Sequence, residues 1–403
     1  MVSHHSSSCQ GTVSTLKIGR HFHGGLEGCS PRPRACPQAA SRNYPPVRLH
    51  SYQGGLQGRA HARPSRVQRR AGKCGDAAGS VEKVAQVPTI KLPPPDADNA
   101  TLMETAKLID EALQTVGFFA VTGHGIPREV VSSASGSARA FFDLPASEKA
   151  TVAMPYQGYP YGYAAVGSEA LSKSTGTVTP PDLKETFSVG PPQRPQHLLR
   201  SEQAVPESVE AFVYAESQWP EEPPQLRSHL ETYYHAMGDL AAYIMKLFAL
   251  ALELPSDHFE DKIDAHISAL RVVNYPEVDP SLARPELGQL RAGAHSDYGS
   301  LTILLGEDRP GGLEIMSAGT WQKVPAVEDG FIVNLGDLMA VWTNDRWLST
   351  LHRVALPPPD FDGTTRRQSL VFFHQPNWDA MISCIPSCMN EQADTKCTVW
   401  IVV

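Results

Sequence analysis

The stretch Arg291-Ala-Gly-Ala-His295-Ser-Asp297-Tyr-Gly-Ser-Leu-Thr-Ile-Leu-Leu305 decides how this chain folds and where its chemistry sits. Its second half is a run of β-branched and apolar residues that predicts a buried strand. Side chains alternate between the faces of a strand, so His295 and Asp297 are expected to point the same way. A second histidine follows in Leu351-His352-Arg-Val-Ala-Leu356, another strand-like stretch. Two imidazoles and one carboxylate then share a pocket.

Two histidines and one carboxylate on one face of a metal, with further positions open, form the ligand triad of non-haem Fe(II) oxygenases. A His-x-Asp pair alone is weak evidence, since it recurs by chance in surface loops and caps. The segment after His352 raises its weight. Arg366-Arg367-Gln368-Ser369-Leu-Val-Phe-Phe373 reads as the next strand, beyond turn material at Pro357-Pro-Pro359 and Asp362-Gly363. By the two-residue period Arg367, Ser369, Val371 and Phe373 share a face, with Gln368 and His374 on the other. Arg367 can grip a carboxylate with two parallel hydrogen bonds, and Ser369 adds a hydroxyl. Because the strand carrying this clamp follows the one carrying His352, the clamp is expected one keto-acid length deeper than the metal.

With these residues in place, the sequence resembles the iron(II)/2-oxoglutarate-dependent dioxygenases of the isopenicillin N synthase-like family. The matching stretches are His295-Ser-Asp297, His352 and Arg367-Gln-Ser369. Upstream they include Gly117-Phe-Phe-Ala-Val-Thr-Gly-His-Gly125, Phe141-Phe-Asp-Leu-Pro145, Glu148-Lys149, Asp182-Leu-Lys-Glu185 and Asn274-Tyr-Pro276. They run in the family's order from about Val87 to Cys388. The resemblance implies Fe(II) on His295, Asp297 and His352, which would be the catalytic centre. It also implies the cosubstrate 2-oxoglutarate on Arg367 and Ser369 with Tyr275 assisting, and dioxygen as oxidant. The family often has tyrosine where Gln368 stands. The implied reaction hydroxylates or desaturates a small organic metabolite while oxoglutarate leaves as succinate and carbon dioxide. Three alternatives stay open: an oxoglutarate-independent iron oxidase of the same family, a zinc hydrolase with the same triad, and a catalytically silent small-molecule-binding module.

The formal net charge of −8 conceals an asymmetry. Residues 1–80 hold 12 Lys and Arg against Glu27 and Asp76, leaving 23 basic and 41 acidic residues in the remainder. So acidic a body does not favour nucleic acid. The first 86 residues, rich in Ser, Gly, Arg, Pro and Ala with no hydrophobic period, have the composition of an organelle transit peptide, with a disordered extension as the bland alternative. A plastid address is expected, the cytoplasm otherwise. Six of the 15 histidines lie there, scattered without strand or helix context. Cys9, Cys29, Cys36 and Cys74 are in this leader, and Cys384, Cys388 and Cys397 close the chain. The core therefore has neither a disulfide framework nor a thiolate metal site.

The expected fold is α+β: a double-stranded β-helix, or jelly roll, with an N-terminal helical/α-β region and a long backing helix. The expected parts are the leader (1–86), an N-terminal dioxygenase region (87–215), the jelly-roll domain (216–390) and a divergent tail (391–403) that contributes little to stability. A first strand is expected at Val87–Ile90. A helix with Leu102, Ala106, Ile109 and Leu113 on one face follows, opened by a Thr101/Glu104 capping box and ended by Gly117. Phe118–Val121 reads as a buried strand, His124 as a turn histidine, and 127–142 as a second helix. In the irregular stretch 150–225, Tyr156, Tyr159, Tyr161 and Tyr163 are read as packing a long loop rather than lining a substrate mouth. Leu226–Leu252 is the backing helix, with polar interruptions that exclude a membrane span. Strands follow at 267–274, 300–305, 312–316, 321–324, 331–335, 351–356 and 367–374. Partners reduce to a small-molecule substrate, with no nucleic acid, no membrane and a monomeric chain.

Overall fold

The computed structural model describes residues 83–195, 205–278, 286, 288–359 and 361–389, with the backbone of 13–15 and 399–401. The expected leader apart from 83–86 and the backbone of 13–15, and the expected tail apart from the backbone of 399–401, lie outside the described residues. Helix α1 (Asn99–Thr115) buries Leu102, Ala106, Ile109 and Leu113, a stripe at helical spacing. Its cap is not the expected Thr101/Glu104 box. The helix starts three residues earlier, and the Asp98 carboxylate accepts from the Thr101 amide at 2.9 Å. Asp98 thus takes the N-cap role, and Thr101 becomes the N3 residue that donates to it. Gly117 ends the helix at φ +73°, and a Cβ there would meet the Leu348 carbonyl oxygen at 2.4 Å. Helix α2 (Arg128–Phe142) and the backing helix (Leu226–Ala251) lie where the periodicity places them.

The strands in chain order are β1 (Val13–Thr15), β2 (Thr89–Lys91), β3 (Phe118–Thr122), β4 (Gly162–Ala164), β5 (Glu185–Val189), β6 (Ala269–Tyr275) and β7 (Ala292–His295). After them come β8 (Leu301–Gly306), β9 (Leu313–Ser317), β10 (Thr320–Lys323), β11 (Phe331–Leu335), β12 (His352–Val354), β13 (Arg367–His374), β14 (Met381–Ile382) and β15 (Val399–Ile401). Eight form a large sheet in the order β2-β3-β11-β8-β13-β6-β5-β4, and four a small one in the order β10-β9-β12-β7. The pair β14–β15 is antiparallel and β1–β15 parallel. The sequence period then sorts the side chains. On β13, Leu370 and Phe372 join the main core, where Phe372 meets Tyr234 of the backing helix edge-on at 5.1 Å. Burying each such side chain contributes roughly 1.5–3 kcal/mol. The alternate residues of β13 turn the other way, toward a cavity lined also by the small sheet.

Residues from both sides of the expected boundary at 215/216 share the large sheet, since β4 and β5 pair with one another and β5 with β6. Tyr161 and Tyr163 are buried in packing and Tyr156 is exposed, and none of the four loop tyrosines lines the cavity. His124 is a turn histidine: its Nδ1 accepts from the Ile126 amide and its ring rests against Phe331. No helix among the described residues is long and apolar enough to cross a membrane.

Candidate metal and cosubstrate site

His295 and His352, 57 residues apart in sequence, are direct partners in the antiparallel pairing of β7 and β12, with ring centroids 4.4 Å apart. Each Nδ1 faces a backbone carbonyl two residues earlier, His295 at 2.7 Å from Gly293 O and His352 at 3.1 Å from Thr350 O. A carbonyl only accepts, so Nδ1 carries the proton and Nε2 is left as a free lone pair. Both Nε2 atoms face Asp297 Oδ1, at 3.8 Å from His295 and 3.7 Å from His352. The three donor atoms lie within 4.8 Å of one another, the only such His/Cys/Asp/Glu group among the described residues.

The route by which Asp297 arrives differs from the expected one. β7 stops at His295, and Asp297 lies in the connection to β8, so strand alternation does not aim it. Hydrogen bonds do. The Asp297 carbonyl accepts from the Asp337 amide at 2.7 Å, and the Tyr298 carbonyl from the Leu338 amide at 3.2 Å. Its carboxylate Oδ2 accepts from Thr302 Oγ1 at 2.6 Å and Asn334 Nδ2 at 2.7 Å, leaving Oδ1 for the histidines. Burial opposes ionisation of Asp297, but His352, His295 and these two donors outweigh it and hold its pKa below the usual carboxylate range. Burial, then the neighbouring His352, lowers His295 to about 4, so its imidazole is neutral near pH 7. Two Nε2 donors and one carboxylate oxygen suit a divalent first-row metal, with Nδ1–carbonyl and Oδ2–amide contacts fixing the ligands from behind.

The triad forms part of the wall of a cavity of about 340 Å³, which also contains Tyr275, Arg367, Ser369, Val371 and Phe373. All six residues singled out as metal or cosubstrate contacts therefore meet in one space. Arg367 reaches this space from a different direction than expected. β12 and β13 are consecutive in sequence but belong to different sheets, so Arg367 faces the histidines across the sandwich rather than from an adjacent strand. Arg367 is 5% exposed. It donates from Nη1 to Gly311 O at 3.0 Å and from Nη2 to Glu307 O at 3.2 Å, while its buried Nε has no partner. A Cβ on Gly312 would come within 2.9 Å of Nη1, so that glycine makes room for the guanidinium. No carboxylate pairs with Arg367 in the hydrogen bonds and ion pairs among the described residues, and its Nε is a vacant donor. That vacancy fits an anionic ligand. Gln368 points away and donates to Ser135 O, and His374 is fully buried against Ser300, as their phase predicts.

Sequence reading missed several contributors. Arg291 is fully buried behind Tyr275 and donates to the Pro310, Gly311 and Thr365 carbonyls. Both the Arg291 and the Arg367 guanidinium lie against the Tyr275 ring, at 5.9 and 5.5 Å. Burial, together with Arg367, lowers Arg291 to about 10. Thr302, Asn334 and Arg271 were also unforeseen, and each is a polar residue on the cavity face of an otherwise apolar strand. That interruption was the available signal.

Comparison with known proteins gives a consistent picture. Residues 87–222 match the family model described as non-haem dioxygenase in morphine synthesis N-terminal, and residues 267–376 that of the 2OG-Fe(II) oxygenase superfamily. The validamycin A dioxygenase of Streptomyces hygroscopicus subsp. limoneus is 34% identical over 65% of this chain and 69% of its own length. The 2-oxoglutarate-Fe(II) type oxidoreductase hxnY of Emericella nidulans is 31% identical over 74% of this chain and 82% of its own. Among solved structures, a full-length Neurospora crassa protein in complex with alpha-KG superposes with a TM-score of 0.67 at 27% identity, covering 78% of this chain and 93% of that one.

Proposed function

Because this chain belongs to the iron(II)- and 2-oxoglutarate-dependent oxygenases of the isopenicillin N synthase-like family, we propose that His295, Asp297 and His352 hold its iron, and that Arg367, Ser369 and Tyr275 hold its oxoglutarate. The observation that carries this assignment is the convergence of two imidazole Nε2 atoms and one carboxylate oxygen in a cavity with a buried arginine whose hydrogen bonds among the described residues go to backbone carbonyls and whose Nε has no partner. When bound, iron(II) with oxoglutarate and dioxygen supplies oxidation of a carbon–hydrogen bond, with succinate and carbon dioxide as coproducts. The prime substrate is a small organic metabolite, as the names of the relatives also suggest for theirs.

The protein's own part is orientation and exclusion. Gly293 O and Thr350 O hold the histidines in the tautomer that ligates, and Thr302 and Asn334 hold Asp297 so that one oxygen faces the metal. Arg367 meets the distal carboxylate of oxoglutarate with a planar fork, and Tyr275 and Ser369 flank it. Apolar Leu304, Leu313, Val371 and Phe373 keep water from the rest of the cavity. Oxoglutarate-independent oxidation would leave Arg367 Nε unpartnered in its buried position. The test is a succinate assay on the iron-loaded protein beside His352→Ala. The expected result is turnover in the parent and nearly none in a folded variant with reduced iron content; normal turnover in that variant would sink the ligand assignment.

The reading extends to organisation and address. The dioxygenase body spans 87–390, divided at 215/216 in sequence terms, and acts as a monomer on small molecules without nucleic acid or membrane partners. The basic, nearly acid-free segment 1–86 directs the chain to a plastid. A fluorescent reporter fused to that segment should enter plastids, and a diffuse cytosolic signal would count against the address. Sedimentation of the body alone should give a single protomer mass.

A further inference from the structure

Resting on the iron and oxoglutarate sites above, we propose that the prime substrate is a small carboxylic acid whose carboxylate docks on Arg271, with Lys184 as a second donor. The ladder between β6 and β13 places this contact. Arg367 pairs with Tyr275, Ser369 with Val273, Val371 with Arg271 and Phe373 with Ala269, all eight lining the cavity. Arg271 is four residues from Tyr275 on the same strand face, about 14 Å along it at roughly 3.4 Å per residue. Oxoglutarate, reaching from Arg367 to the triad, takes the near end of this groove. Arg271 stands further along, one cavity-facing pair before Phe373 and Ala269, beside the space left for the substance to be oxidised.

The hydrogen bonds around Arg271 leave donors over and no acceptor. Its Nε donates to Ser188 Oγ at 3.0 Å, and Nη1 reaches both Glu169 oxygens only at 3.4 Å. Nη2 has no protein partner among the described residues. Lys184, with its side chain 4% exposed, lies 3.2 Å from both Glu169 and Asp182. Those two acids are already engaged. Asp182 also accepts from the Gly293 and Leu171 amides, and Glu169 is held below the usual carboxylate range, chiefly by Arg271. A wall with spare N–H groups and saturated carboxylates favours a ligand that brings acceptors. The neighbouring Leu171, Val371 and Phe373 accept an apolar body behind that group.

The probes are matched sets of small aliphatic and aromatic carboxylic acids, their primary amides and their methyl esters. Binding is read by saturation-transfer NMR on protein loaded with zinc and oxoglutarate, which does not turn over. Stimulated succinate release is read separately on the iron enzyme. Acids should bind about 30-fold or more tighter than their amides and esters, as loss of a charged partner predicts. Arg271→Leu should erase that preference while leaving oxoglutarate affinity within about threefold. Arg271→Lys should restore part of it, since it keeps the charge and loses the fork. Arg271→Gln keeps a donor toward Ser188 and serves if the leucine variant does not fold. Amides or esters binding as well as their acids, acid preference persisting in Arg271→Leu or Arg271→Gln, or no acid binding at all would each overturn the proposal. If the parent protein releases no succinate, the oxygenase assignment fails instead, and the NMR preference still decides the carboxylate site.

Discussion

Replacing Arg367 by leucine tests the cosubstrate site most directly. The side chain is almost fully buried, and its two hydrogen-bonded nitrogens are spent on the Gly311 and Glu307 carbonyls. The substitution removes the fork and leaves the distal carboxylate of oxoglutarate in a cavity without its counter-charge. Truncating one partner of a buried charged pair typically costs about 2–5 kcal/mol. Here the lower part of that range applies, because Arg291 remains behind Tyr275 and still opposes the carboxylate. About 2–3 kcal/mol corresponds to an oxoglutarate affinity reduced about 30- to 150-fold. Arg367→Lys should recover only part of this loss. Metal affinity should stay within about threefold, since the contacts that orient the triad run to Gly293, Thr350, Thr302 and Asn334 and none to residue 367. The assay is an anaerobic calorimetric titration of oxoglutarate into iron-loaded protein, with metal affinity measured against a competing chelator. If Arg367→Leu binds oxoglutarate within threefold of the parent, the clamp is misassigned and the oxoglutarate-independent oxidase becomes the better reading.

Three further outcomes are expected. Asn334→Leu removes one of the two donors to Asp297 Oδ2 and should weaken metal binding about 10- to 100-fold while sparing the oxoglutarate contacts; undiminished affinity in chelator competition would show that Thr302 alone suffices. Arg291→Met should weaken oxoglutarate about tenfold, or about 1.4 kcal/mol, through loss of the second buried charge and of support for Tyr275 and Gly311; calorimetry checks it, and an unchanged constant would reduce Arg291 to a packing residue. His266 is lowered to about 4, first by burial and then by His235, against about 6.5 in an unfolded chain. Above pH 6.5 both states are neutral and nothing is lost; as pH falls from 6.5 to 4 the unfolded state takes the proton first, removing about 3 kcal/mol of stability. His374 is displaced in the same direction by burial and by His266. Denaturant midpoints at pH 7 and pH 4.5 should therefore converge in His266→Phe relative to the parent, and an equal acid loss in both would locate the sensitivity elsewhere.

How much was legible in the sequence depends on whether the cause of a feature is local. Helix faces and strand phases are local: the buried stripe of α1, the backing helix and the alternation of Arg367, Ser369, Val371 and Phe373 came out where periodicity placed them. Caps compete over two or three residues, so Asp98 displaced Thr101. The triad illustrates the other limit. The structure brings its three residues together, yet two of the geometric reasons offered were wrong. Asp297 is aimed by Asp337, Thr302 and Asn334 rather than by strand alternation, and Arg367 reaches the site from the opposite sheet. Those causes lie 5 to 40 residues from Asp297 along the chain, and no spacing rule reports them. A polar residue on an apolar strand does report them indirectly. Asn334 in Phe-Ile-Val-Asn-Leu and Arg271 in Ala-Leu-Arg-Val-Val-Asn-Tyr each put a hydrogen-bonding group where burial without a partner would cost about 1–3 kcal/mol. Such an interruption implies a partner before any partner is known. For Asn334 that partner is the Asp297 carboxylate; for Arg271 the protein supplies only part of it, and a substrate carboxylate would complete the set.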